Sequence, residues 1–110
     1  MINDVVIREQ DAFTDYRGDL WTLWKDNDFN LNFNHDKVST SRKHVLRGIH
    51  GDNKSWKLIT CLYGDIYFVM VDNRESSDTF MKWESMTLND RNKKQVLLPP
   101  GVGTGFLVMS

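Results

Sequence analysis

The run Val45, Leu46, Arg47, Gly48, Ile49, His50 sets an arginine, a glycine and a histidine into otherwise apolar sequence, and Lys57 follows after a short loop. Charged and titratable side chains are out of place in such a strand unless they have a task. His50, with an ordinary pKa of about 6.5, is suited to take and return a proton near neutral pH, which makes it a candidate general base. Lys57 supplies a positive charge. Aimed at a carbonyl oxygen, that charge stabilises the enolate left when the neighbouring C–H loses its proton. The pair therefore points to carbon-acid chemistry. Arg47 and Arg17, each followed by a glycine, can offer paired N–H donors to phosphate oxygens where the backbone leaves room, as a diphosphate would require. Each residue also has a plainer reading, since a lone strand histidine commonly packs or lies on the surface and a strand lysine commonly extends its ammonium into solvent.

These side chains need strands to position them. Strict alternation places His50 beside Leu46 and Gly48, and Arg47 beside Val45 and Ile49, so the two reach one site only if the strand twists or bulges. Gly48 permits that, and irregular pairing is expected there. Residues 56–63 and 66–72 are β-rich runs flanking Gly64 and Asp65, which reads as a hairpin. Lys57, Ile59, Cys61 and Tyr63 then share one face, with Lys57 directed into the same cavity as His50. Tyr63 and Tyr67 read as packing residues of that hairpin. Upstream, residues 2–8 and 20–24 read as strands on either side of the turn-like cluster Asp15, Tyr16, Arg17, Gly18, and residues 38–41 as a polar strand. Downstream come strands over 80–88, 95–98 and 105–109, with a turn at 89–92 and the breaker Pro99, Pro100, Gly101. Many short strands and no convincing helix predict an all-β sandwich or barrel, in a single domain over residues 1–110.

Composition narrows the classes of function. Of 110 residues 40% are hydrophobic and 12% aromatic, far from the signature of disorder. Fourteen Lys and Arg against 15 Asp and Glu give a net charge of −1, so no global field recruits nucleic acid and any anion site must be local. The single cysteine, Cys61, forms no intrachain disulfide. The first ten residues lack a basic start followed by an apolar core, and no apolar run approaches the roughly 20 residues that cross a bilayer. A soluble, cytoplasmic protein is expected.

The ordered set of short motifs resembles the dTDP-4-dehydrorhamnose 3,5-epimerases and their nucleotide-sugar epimerase relatives. It comprises Asp15-Tyr16-Arg17-Gly18, Ser39-Thr40-Ser41, the VLRGIH run ending at His50, Lys57-Leu58, Val71-Asp72-Asn73-Arg74 with Ser77, Thr79, Phe80 and Trp83, and Pro99-Pro100-Gly101 with Gly105-Phe106. The resemblance implies a cupin-type jelly roll and a metal-free, cofactor-free homodimer. It implies an isomerase that inverts one or both carbons flanking the 4-keto group of a nucleotide-diphosphate-linked deoxy sugar, for surface polysaccharide biosynthesis. By the same resemblance His50 is the base, Lys57 stabilises the oxyanion, and Arg47 and Arg17 hold the diphosphate.

The chain also departs from the family pattern. Thr22 stands where the family has an acidic residue, and His35 where it has a glutamine. The short segment 51–56, and Thr104 in place of a histidine, resemble relatives acting on GDP-linked deoxy-heptoses, which makes a GDP-sugar the alternative substrate. By the resemblance, the family's tyrosine acid and the carboxylate that orients its base lie beyond the equivalent of Ser110, so a jelly roll without the family's C-terminal portion is the expectation for these residues. Two rival readings follow. A metal-dependent cupin would need clustered histidines and a carboxylate, for which His35, His44, His50 and Asp52 are the available groups. The other rival is a non-catalytic or truncated sugar-nucleotide binding module.

Overall fold

The computed structural model describes residues 1–110. Apart from one 3-10 turn at Asp28–Asn30, its regular structure is all strand. Strands β1 (Val6–Glu9), β5 (Lys57–Thr60) and β8 (Lys94–Leu98) form an antiparallel sheet in the order β1-β8-β5. Strands β4 (Leu46–His50), β6 (Asp65–Asp72), β7 (Trp83–Asn89) and β9 (Val102–Val108) form a second, in the order β4-β9-β6-β7. Strands β2 (Ala12–Asp15) and β3 (Gly18–Trp21) pair only with each other.

The two larger sheets face one another. Phe68 and Met70 of β6, Leu88 of β7 and Val102 of β9 pack in one cluster with Val96 and Leu98 of β8, closed by Ile2, Val5 and Cys61. Alternation on each strand supplies this inner layer, and the result is the expected antiparallel sandwich. The other face of the three-stranded sheet is covered by the chain around residues 23–29. There the buried Gln95 amide donates to the Leu23 carbonyl at 2.7 Å and to the Thr60 hydroxyl at 3.0 Å, while its oxygen accepts from Arg8 Nε at 2.7 Å. Arg8 in turn lies over the Phe29 ring, 4.4 Å from its centroid.

The strand pairing differs from the sequence expectation in several places. The runs over 56–63 and 66–72 do not form a hairpin: β5 joins β8, whereas β6 joins β7 and β9. The ladder of β5 ends at Thr60, and the corner that follows, with Gly64 at φ 84°, carries the chain from one sheet to the other. Tyr63 stands on that corner 90% exposed and is not a packing residue. Residues 38–41 form no strand. The first strand starts only at Val6, after a turn in which Asp4 has φ 70°. The Asp15 to Gly18 turn is present, but it joins β3 to a strand over Ala12–Asp15 that the sequence does not announce.

Candidate functional site

Strand β4 sits at the edge of the four-stranded sheet beside β9. The register pairs Arg47 with Phe106 and His50 with Thr104, so three steps along β4 match two along β9. The extra residue is a β-bulge, and Gly48 within it has φ 126°, which favours glycine. Directly paired residues share a face of a sheet. Phe106 packs against the core, and Met70, which also pairs with Thr104, is part of it. The bulge therefore turns both Arg47 and His50 toward the space between the sheets, where regular alternation would have separated them, as the sequence expectation required.

The same seam brings backbones close together. A Cβ on Gly48 would run into the Gly105 Cα, and one on Gly51 would lie 3.0 Å from the Gly103 Cα. From the β9 side of the same seam, a Cβ on Gly103 would lie 3.0 Å from the Ile49 side chain, and one on Gly105 would lie 2.9 Å from the Arg47 carbonyl oxygen.

Arg47 and His50, with Thr104 and Phe106, line an open cavity of about 420 Å³. Arg47 Nε donates to Ser41 Oγ at 2.7 Å, which steadies the guanidinium from the chain ahead of β4. A second cavity of about 370 Å³ adjoins at the end of β4, where Ile49 and Val71 meet Asp52, Asn53 and Asn73, and His50 borders both.

Lys57 approaches from the opposite sheet. It pairs with Leu98, a core residue, and so also points between the sheets. It lines neither cavity, but its Nζ is 4.0 Å from an oxygen of Asp52, two residues beyond His50. Asp52 is itself fixed: Oδ1 accepts the Lys54 N–H at 2.9 Å and the Ser55 N–H at 2.8 Å, and its carbonyl accepts the Gly101 N–H at 2.8 Å. Those two N–H groups, ahead of the charge on Lys57, hold the Asp52 carboxyl below the usual carboxylate range. The sequence signal for this residue was an Asp-Asn-Lys-Ser turn.

A buried carboxylate organises the neighbouring loop. Asp72 is fully buried and accepts from Arg74 Nε at 2.9 Å, from the Arg74 N–H at 3.0 Å and from the hydroxyls of Ser77 and Thr79. Arg74, first among these partners, holds the Asp72 carboxyl far below its ordinary range. The guanidinium continues to Asp4 at 2.9 Å and to the Asn3 carbonyl at 2.7 Å, while its stem fills the space where a Cβ on Gly101 would lie. The loop bearing Asn73, the turn at Gly101 and the N-terminal segment are thereby tied together.

Arg17 is placed elsewhere. It sits on the β2–β3 turn, paired with Asp15 at 2.6 Å and 76% exposed, and lines neither cavity. None of the three tyrosines lines either cavity: Tyr16 is 97% exposed, and Tyr67 pairs with Leu107 on the outward face of the four-stranded sheet. No three His, Cys, Asp or Glu side chains converge in a way that could hold a metal ion. No helix is long and apolar enough to cross a membrane.

Comparison with known proteins fits this arrangement. A family model described as dTDP-4-dehydrorhamnose 3,5-epimerase matches residues 1–110. The enzyme of that name from Salmonella typhimurium is 36% identical over 118 residues, covering 99% of this chain and 64% of its own. The Escherichia coli enzyme is 37% identical with the same coverage. Among solved structures, the dTDP-6-deoxy-D-glucose-3,5-epimerase from Legionella pneumophila, in complex with dTDP-4-keto-L-rhamnose, superposes with a TM-score of 0.91. It is 32% identical and is matched over 99% of this chain and 62% of that one. The chain thus spans just under two thirds of the length of these relatives. With a match along its whole length and the same sandwich, the chain belongs to the dTDP-4-dehydrorhamnose 3,5-epimerase family.

Proposed function

We propose that this chain carries the proton-abstracting half of a nucleotide-sugar epimerase. The enzyme would invert one or both carbons flanking the 4-keto group of a deoxy sugar linked to a nucleoside diphosphate. The observation that carries the reading is the bulge at Gly48, which puts Arg47 and His50 on one inward face, opposite a sheet from which Lys57 also points inward. His50 takes the proton from the carbon beside the ketone. The electron pair moves onto the carbonyl oxygen, and the Lys57 ammonium stabilises the enolate. The Arg47 guanidinium, held through Nε by Ser41, presents its remaining N–H groups to the diphosphate. Inversion follows when a proton returns to the opposite face of the carbon. Asp52, held ionised by its hydrogen bonds, is no donor for that step near neutral pH.

The same reading makes the working unit a homodimer in which Arg17 serves the site of a neighbouring copy. Its support is the β2–β3 hairpin, which pairs with nothing else in the chain and carries Phe13 and Leu20 at 80% and 71% exposure. The radius of gyration of 14.5 Å exceeds the roughly 13 Å of a compact domain of this length.

The test is deuterium uptake from heavy water into a dTDP-linked and a GDP-linked 4-keto deoxy sugar, followed by mass spectrometry. The chain should exchange at least one of them faster than buffer, and His50→Asn should abolish the exchange, because an amide accepts no proton near neutral pH. Exchange surviving in His50→Asn removes His50 as the base, and no exchange by the parent with either sugar removes the catalytic reading. A second reading, a sugar-nucleotide binding module without turnover, is favoured by one observation: no tyrosine lines the cavities. Calorimetric binding of either nucleotide sugar without exchange would establish it.

A further inference from the structure

Lys57 and His50 belong to different sheets, so nothing in either ladder fixes the distance between ammonium and imidazole. The one group that reaches across is Asp52, which follows His50 by two residues and lies 4.0 Å from Lys57 Nζ. We propose that Asp52 is a positioning residue that draws the Lys57 ammonium across the gap between the sheets to the end of β4, where His50 works. This rests on the roles given to His50 and Lys57 above.

Three features support it. Asp52 is rigid before Lys57 is considered, because Oδ1 is occupied by the Lys54 and Ser55 N–H groups and its carbonyl by Gly101. The oxygen facing Lys57 is the other one, Oδ2. At 4.0 Å the pair is a charge contact and not a hydrogen bond, so all three ammonium N–H groups stay available to a developing oxyanion. Finally, both side chains are partly solvated, 36% and 48% exposed. Such a pair contributes little to stability, so its effect falls on where Lys57 stands.

Asp52→Asn separates the two functions of the side chain. Its amide oxygen can still accept the two backbone N–H groups and keep the turn, while the charge facing Lys57 is gone. In the full chain, acylation of lysines by a small amine-reactive ester, read by mass spectrometry, should become severalfold faster at Lys57 and stay unchanged at Lys54 and Lys94. Deuterium exchange at saturating sugar nucleotide should fall about tenfold with little change in KM and in the melting temperature, as expected when a catalytic group is misplaced and not lost. Asp52→Glu, which keeps the charge, should recover part of the rate. Unchanged acylation at Lys57 overturns the proposal, as does a loss of rate accompanied by an equal loss of melting temperature. Faster acylation at Lys57 in a protein whose parent exchanges neither sugar upholds the placement of Lys57 and rejects the epimerase reading instead. Faster acylation with an unaltered exchange rate rejects the positioning role in catalysis.

Discussion

The Asp72 carboxylate is the residue on which the end of the four-stranded sheet depends most directly. It is fully buried and receives a guanidinium, a backbone N–H and two hydroxyls. Removing its charge leaves Arg74 without its main partner. Asp72→Asn should therefore cost about 3 kcal/mol in urea unfolding at neutral pH. The sign of the pH dependence follows from the depressed pKa of the folded state. The stabilisation is fully present above the unfolded value of about 3.9 and is lost as the pH falls from there toward the folded value. Melting temperature measured downward from pH 5 should fall steeply in the parent and less steeply in Asp72→Asn. At this scale the sequence marks Arg47, His50 and Lys57 as candidates because their residue types are out of place, and the register turns all three toward the space between the sheets. Asp52 is not so marked, because an aspartate in an Asp-Asn-Lys-Ser turn is already explained by its own backbone, and only the fold brings Lys57 to it.

Among the elements, β4 is defined by its bulge. Gly48→Ala would place a side chain at φ 126° and drive its Cβ into the Gly105 backbone. The expected cost is about 1–3 kcal/mol of unfolding free energy, with loss of deuterium exchange as regular alternation returns Arg47 to the outer face. Retained exchange in a folded Gly48→Ala protein would show that the bulge does not set the site. The need for this bulge could be read from the sequence, since period two alone separates Arg47 from His50. The partners of β5 and β6 could not. Alternation tells which side of a strand is inward, and it did so for Lys57, but both runs are apolar enough to sit in either sheet. The choice between a hairpin and a crossing was made at the Cys61–Gly64 corner by packing distant in sequence. Strand β2 escaped notice for the opposite reason: its Ala12-Phe13-Thr14-Asp15 run has little alternation, and its pairing is dictated by the turn that follows.

The whole molecule leaves surface in want of a partner. Phe13 and Leu20 face each other across the isolated hairpin and are largely exposed. Leu46 and Ile49 are 74% and 59% exposed on the edge strand that carries the candidate site. Sedimentation velocity at micromolar concentration should show two copies, and Phe13→Asp should shift the boundary to one while far-ultraviolet circular dichroism stays unchanged; a parent that sediments as a monomer removes both the dimer and the role of Arg17 in a neighbour's site. The glycine seam between β4 and β9 bears on how such a chain can change over generations. Gly48 of β4 and Gly51 just beyond its end meet Gly105 and Gly103 of β9, so a larger residue at any one of the four crowds backbone or the Ile49 side chain, and no second substitution across the seam can make room by shrinking a glycine. Room to vary beside the two cavities therefore lies at neighbours with side chains to exchange, such as Thr104, Asn53 and Asn73, and not at the glycines that hold the strands together.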